Sequence, residues 1–238
     1  AEAELELTDR VARELAAAMR GERDPMQLLF PGGSLATTER IYRDSPTAKV
    51  YGGLIAEVLA AAGAAASQGR RLRVLEVGAG TGGTTAHVLP RLIDSRVDYT
   101  FTDVGPLFVA RARERFAAFP FVVYKTFDLE QDAAAQGLSA GDYDVIIASN
   151  VIHATADLRQ TLERVRRLLV PGGLLVMLEV TAPQRWFDLT VGLTEGWWAY
   201  TDHDLRTNYP TLSRQRWLSL LDEQGFAATA LPSETQVG

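Results

Sequence analysis

The chain has 238 residues, 47% of them apolar and 23% charged, and carries a formal net charge of -6. This balance fits one globular domain with at most a small appendage and gives no electrostatic footprint for nucleic acid. The sequence reads as having neither a signal-peptide pattern nor a stretch approaching the ~20 apolar residues that span a bilayer, and with no cysteine there is no disulfide framework, thiolate nucleophile or cysteine-based metal site.

A cytoplasmic location fits these features. The opening Ala-Glu-Ala in place of Met fits a piece excised from a longer chain. Residues 1–66 read as a helical cap: "LTDRVARELAAAMR" (7–20), a "DPMQLLFPGG" turn, then "TAKVYGGLIAEVLAAAGAAA" (47–66). The stretch "GAAASQGRR" (63–71) looks like the joint into a second unit, 67–238. Strand patterns then fall at 71–77, 97–103, 121–127, 142–149 and 173–180. Helical patterns lie between them at 83–93, 106–118 and 156–169. The last places Leu158, Leu162, Val165 and Leu169 on one face, with arginines opposite. "PGG" at 171–173 stops it. After 180 come six aromatics (Trp186, Phe187, Trp197, Trp198, Tyr200, Trp217), a helix at about 213–224 ending at Gly225, and a further strand candidate, "FAATAL" (226–231). Strands alternating with helices of this length mean βαβ units, a mostly parallel α/β sheet with helices on both faces, and a ligand at the carboxyl ends of the strands.

The loop "GAGTGG" (78–83) follows the first strand and opens a helix. Its G-x-G-x-x-G spacing matches the dinucleotide fingerprint, with Asp103 in the place of the ribose-binding acid. An NAD-dependent oxidoreductase is therefore one reading. Three carboxylates favour another nucleotide. Glu76 lies inside the strand, two residues before the first glycine, Asp103 ends the second strand, and Asp128 ends the third. Such a line suits an adenosine lying across the sheet edge with a cationic group near Glu76. It would repel a pyrophosphate.

Eight segments in order, "LLFPGGS", "YRDSP", "EVGAGTGGTT", "YTFTDV", "ASNVIHAT", "LLVPGG", "LEVT" and "GLTEGWW", resemble the methyltransferase domains embedded in modular polyketide synthases. These are class I (Rossmann-like) methyltransferases that use S-adenosylmethionine (SAM) and release S-adenosylhomocysteine. The resemblance runs from about 24 to 226. It implies a seven-strand-type sheet whose last strand would fall beyond 231, short or missing. It also implies that Gly78, Ala79, Gly80 and Gly82 let the backbone approach the methionine part of SAM. Glu76 would fix that loop or receive the ammonium through water. Asp103, followed by Val104, would hold the ribose, and Asp128 and Leu129 would frame the adenine. Asn150 would lie near the methionine moiety, although a loop-capping Asn reads equally well.

The chain's three histidines differ in position. His153 follows the fourth strand, where a transferred methyl group would emerge, and an imidazole is the natural base near neutral pH. Glu179, near the end of the neighbouring fifth strand, would orient it and stabilise its charged form. In the family this pair is the catalytic dyad. His87 reads as structural or surface, and His203 as a loop residue. No metal-ligand spacing is present. Trp197 and Trp198 read as half core and half pocket wall, and Tyr42 and Tyr51 as packing residues of the cap. The resemblance further implies an acyl chain borne on the phosphopantetheine arm of an acyl carrier protein, beside other synthase domains. Two branches share these motifs, one methylating the α-carbon of a β-keto thioester and the other the β-oxygen. The carbon branch carries a larger lid before the glycine strand. With only about 70 residues there, the β-hydroxyl oxygen is the expected acceptor and the α-carbon the alternative. A non-catalytic scaffold remnant is the remaining reading, although such remnants lose the base or break the glycine loop.

Overall fold

In the computed structural model, which describes residues 2–66, 70–92 and 96–230, five parallel strands form one sheet in the order β3-β2-β1-β4-β5. They are β1 (Leu72–Val77), β2 (Val97–Asp103), β3 (Val122–Thr126), β4 (Tyr143–Ser149) and β5 (Leu169–Leu178). The order reverses between β1 and β4, which opens a crevice at their carboxyl ends. β4 shows why the sheet is buried on both faces. Ile146 and Ala148 join one apolar cluster, while Val145 and Ile147 join the other. Two-sided burial needs helices on both faces. Helices α7 (Leu158–Leu168) and α9 (Arg214–Glu223) cover the first face through Leu158, Leu162, Val165, Trp217 and Leu220. Helices α4 (Pro46–Ala65), α5 (Gly83–Val88) and α6 (Pro106–Arg115) cover the second through Ile55, Leu59, Val88, Val109 and Ala112.

Several boundaries differ from expectation for local reasons. The helix after the glycine loop stops at Val88 because Pro90 turns the chain into a short 3-10 turn, Leu89–Arg91. α7 begins behind Asp157, whose side chain accepts from the Gln160 amide, and ends at Leu168, not 169. Leu169 pairs with Tyr143 instead, and Pro171-Gly172-Gly173 forms an irregularity before the ladder resumes at Val145↔Leu174. Residues 226–230 form no strand; Leu231 and any last strand lie outside the described residues. The joint residues 67–69 lie outside them too.

The first 66 residues hold more helix than their pattern suggests. α1 (Glu2–Met19) starts well before residue 7. The "DPMQLLFPGG" turn contains a short helix, α2 (Pro25–Leu29), capped by Asp24. An unexpected helix, α3 (Ala36–Asp44), follows. α4 also corrects the membrane expectation: it is 20 residues long and an 18-residue window of it has a mean hydropathy of 1.3, long and apolar enough to cross a bilayer by length and composition. In the fold it buries Gly52, Ile55, Ala56 and Leu59. A third apolar cluster joins Leu7, Val11, Leu28, Leu29 and Ile41 to Trp186, Val191 and Leu193. The amino-terminal helices thus meet the segment after β5, including the short helix α8 (Arg185–Leu189), above the sheet edge.

Candidate active site

The glycine loop leaves β1 through Gly78, Gly80 and Gly82 at φ of 57°, 54° and 73°. At Gly78 the left-handed backbone coincides with a close approach. A Cβ there would lie 2.1 Å from Val151 Cγ2, in the loop after β4. Only glycine lets these two strand ends come together. The loop is tied to β2 by hydrogen bonds that need tertiary contact. The Ala79 amide donates to the Thr102 carbonyl (2.9 Å). The Gly80 amide donates to Asp103 Oδ2 (2.8 Å), and the Gly105 amide to Oδ1 of the same carboxylate (2.8 Å). Asp103 is therefore buried and rigid before any ligand arrives, and each oxygen retains a lone pair for a hydroxyl.

Glu76 sits below the loop with only 1% of its surface exposed. The Thr85 hydroxyl and the Tyr99 phenol both donate to its Oε2, each at 2.6 Å. Its Oε1 is buried without a partner. Burial, above all, pushes this carboxyl up to about 7; the nearby Asp103 charge adds to the rise, and the two hydroxyl bonds oppose it. Asn150 has the same character. It is the non-glycine residue with a positive φ (52°) among those described, and its Oδ1 is also buried without a partner. It caps nothing with that atom. Both residues line one cavity of about 410 Å³, shared with Gly78, Gly80, Tyr42, Trp186 and Phe187. Two unpartnered acceptors lining one cavity suit an ammonium group, which brings only donors.

The third feature follows β4. The chain makes a single 3-10 turn, Ile152–Ala154, with His153 buried in it. His153 Nδ1 lies 2.5 Å from Glu179 Oε2, and the Glu179 side chain is only 2% exposed. The other carboxylate oxygen accepts from the backbone amides of Ile152 (2.8 Å) and His153 (3.4 Å). A carboxylate only accepts, so Nδ1 carries a proton, and in the neutral ring Nε2 keeps its lone pair. The Trp197 ring meets the imidazole edge-on at 5.4 Å. Tyr42 reaches the same neighbourhood from α3: burial first, then the Glu179 charge, raises its phenol above the ordinary value. The residue nevertheless keeps 39% of its surface exposed and lines the same cavity as Asn150.

Residues 75–175 match the family model of a methyltransferase domain. Polyketide synthase ThaG of Burkholderia thailandensis is 43% identical over 97% of this chain, which spans 4% of that protein. The solved structure of the CurJ carbon methyltransferase is 47% identical, with a TM-score of 0.93 over 98% of this chain and 62% of that one. The trans-methyltransferase CalH, solved in complex with SAH, is 34% identical, with a TM-score of 0.76 over 91% of this chain and 59% of that one. This chain is a SAM-dependent methyltransferase domain of the polyketide synthase type. It spans less than two thirds of these two solved relatives and a small fraction of the synthase.

In this methyltransferase domain the residues expected to hold SAM lie along the carboxyl edge of the sheet. Glu76 and Asn150 offer their free acceptors, and the glycine loop opens between them. Asp128 lies at the end of β3, beside Asp103 at the end of β2, as the strand order demands. Its Oδ1 accepts from the Glu130 amide (2.8 Å), and its own amide donates to Gln136 (2.7 Å). Leu129 is buried and Val104 is 63% exposed. None of Asp103, Val104, Asp128 or Leu129 lines the 410 Å³ cavity, and Leu129 packs into the apolar core. His87 is structural: its Nε2 contacts the Arg43 carbonyl at 3.0 Å and holds α5 to the end of α3. His203 is an exposed loop residue.

Two expectations need correction. Trp197 and Trp198 are not the walls of this cavity. Trp186 and Phe187 are, whereas Trp198 is 45% exposed. The preference for an oxygen acceptor is backed less well than its alternative, because the 47% identical structure is that of a carbon methyltransferase. That preference rested on the length of chain before β1, which carries no information in a chain covering part of its relatives. Two features escaped the sequence reading, and Tyr42, expected to pack in the cap, lines the cavity as well. Tyr42 reaches the site because Gly83 lets α5 touch α3, where a Cβ would lie 2.4 Å from the Tyr42 carbonyl oxygen. Thr85 and Tyr99 as partners of Glu76, and Arg206 beneath His153, have no local signal.

Proposed function

We propose that this domain methylates the α-carbon of a β-ketoacyl thioester presented on the phosphopantetheine arm of an acyl carrier protein, within a larger synthase. The observation that carries the reading is the buried His153–Glu179 pair at 2.5 Å, next to a cavity with two unpartnered acceptors. When bound, SAM supplies an electrophilic sulfonium methyl group and leaves as S-adenosylhomocysteine. Glu76 and Asn150 would receive its ammonium, Asp103 its ribose, and Asp128 with Leu129 its adenine. The α-proton of a β-ketoacyl thioester is acidified by two carbonyls. His153 Nε2 removes it as Glu179 stabilises the imidazolium through Nδ1. The electron pair left on the α-carbon forms the new carbon–carbon bond. Trp186 and Phe187 supply the apolar wall that a flexible acyl chain needs.

The test is to offer β-ketoacyl and β-hydroxyacyl carrier-protein thioesters with SAM and to locate the added methyl group by fragmentation. Methyl on the α-carbon of the β-keto substrate is expected. Methyl on the β-oxygen of the hydroxy substrate, with the keto substrate untouched, would overturn the proposed acceptor.

A further inference from the structure

His153 stands on one turn of 3-10 helix, and such a turn leaves its amides at one end and its carbonyls at the other without intrahelical partners. Glu179 serves the amide end. The carbonyl end is served from far along the chain. Arg206 donates from one terminal nitrogen to the His153 carbonyl (2.7 Å) and from the other to the carbonyls of Thr155 (2.8 Å) and Ala156 (2.9 Å). Its Nε donates to Asp202 Oδ1 at 2.5 Å. The second Asp202 oxygen accepts from the Leu158 amide (3.0 Å), at the start of α7. The Tyr200 ring closes the last side, 4.8 Å from the guanidinium carbon. The Arg206 side chain is 0% exposed and that of Asp202 is 1% exposed.

A buried ion pair of this kind is weak support for stability, because desolvation of both groups offsets their attraction. What the planar fork does well is hold several acceptors in one fixed geometry. Here every acceptor except Asp202 belongs to the four residues 153–156. The His153 turn is thus gripped at its amide end by a carboxylate and at its carbonyl end by a guanidinium, with Trp197 against the ring edge.

We infer that Arg206 is a positioning residue for His153, setting the direction of Nε2 through the backbone of residues 153–156. The inference rests on His153 being the base. A proton acceptor must lie within about 2.6–3.2 Å of the proton's carbon or heteroatom, and a misplacement of about 1 Å can cost on the order of 100-fold in rate. Loosening the grip should therefore lower turnover without touching the cofactor site.

The closing experiment uses the domain labelled with 15N-histidine. It contains three histidines, so His153→Ala assigns the imidazole signal. The paired change Arg206→Met with Asp202→Asn removes both charges and leaves an amide oxygen for the Leu158 N–H. In that variant the downfield Nδ1–H resonance of the His153–Glu179 bond should broaden or move. SAM affinity should stay near wild type, and turnover should fall about tenfold or more with little change in KM for the thioester. Arg206→Lys keeps the charge but not the fork, and should move the signal in the same direction. An unchanged resonance and rate in either folded variant would overturn the inference. So would failure of both to fold, which would make Arg206 a determinant of the whole domain. If wild-type protein methylates no thioester, the proposed acceptor fails, but the imidazole resonance still decides whether Arg206 holds the turn.

Discussion

Glu179→Gln gives the sharpest perturbation of the site. One carboxylate receives three N–H donors: His153 Nδ1 on one oxygen and the amides of Ile152 and His153 on the other. A carboxamide has one acceptor oxygen. Turned toward the backbone, it presents an N–H to Nδ1, which forces the imidazole proton onto Nε2 and removes the base. Turned toward the ring, it sets its own N–H groups against two backbone amides. Either way the charge-assisted bond to the imidazolium is lost, a change of roughly 1.5–3 kcal/mol. At about 1.36 kcal/mol per factor of ten, this is about 10- to 150-fold in rate. The assay is single-turnover methyl transfer at saturating SAM, with SAM affinity measured by calorimetry as a control. Since Glu179 does not line the cavity of Glu76 and Asn150, affinity should hold. A rate within about twofold of wild type in folded protein would refute the reasoning.

Asp103→Ala removes the acceptor of the Gly80 and Gly105 amides, and SAM binding measured by calorimetry should weaken about tenfold or more; unchanged affinity would remove Asp103 from the cofactor site. Burial pushes the Glu76 carboxyl up to about 7 in the folded domain, from an ordinary value of about 4.5. A raised folded value means stability present below about 4.5 and lost as pH rises through about 7, on the order of 3 kcal/mol at most. The melting temperature of the ligand-free domain should therefore drop from pH 5 to 8, and drop less in Glu76→Gln or with saturating SAM. Gly83→Ala drives a Cβ to within 2.4 Å of the Tyr42 carbonyl oxygen and should cost about 1–3 kcal/mol of stability by thermal melting. Gly53→Ala, on the neighbouring helix, meets nothing within 4 Å and should be neutral or stabilising.

Much of the site was readable because a parallel α/β sheet turns a one-dimensional feature into a position. The end of each strand is a place on one edge, so Glu76, Asp103, Asp128 and His153 fall near that edge once the alternation of strand and helix is recognised. Turn residues and periodicity are likewise local, which is why β1 to β4 and the apolar face of α7 lie close to where their patterns put them. What the pattern does not hold is which distant side chain ends up beside which. α3 is short and mostly polar, and Ile41 is its one buried residue. The use of Pro171-Gly172-Gly173 as an irregularity inside β5 depends on pairing with β4. Glu76 as a half-satisfied acid depends on Thr85 and Tyr99 closing on one oxygen and leaving the other bare. Arg206 reaches the His153 carbonyl across 53 residues. Such partnerships arise when elements pack and water is excluded. Burial makes each unpaired donor or acceptor costly, and only the folded neighbourhood decides which groups meet that demand and which remain open to a ligand.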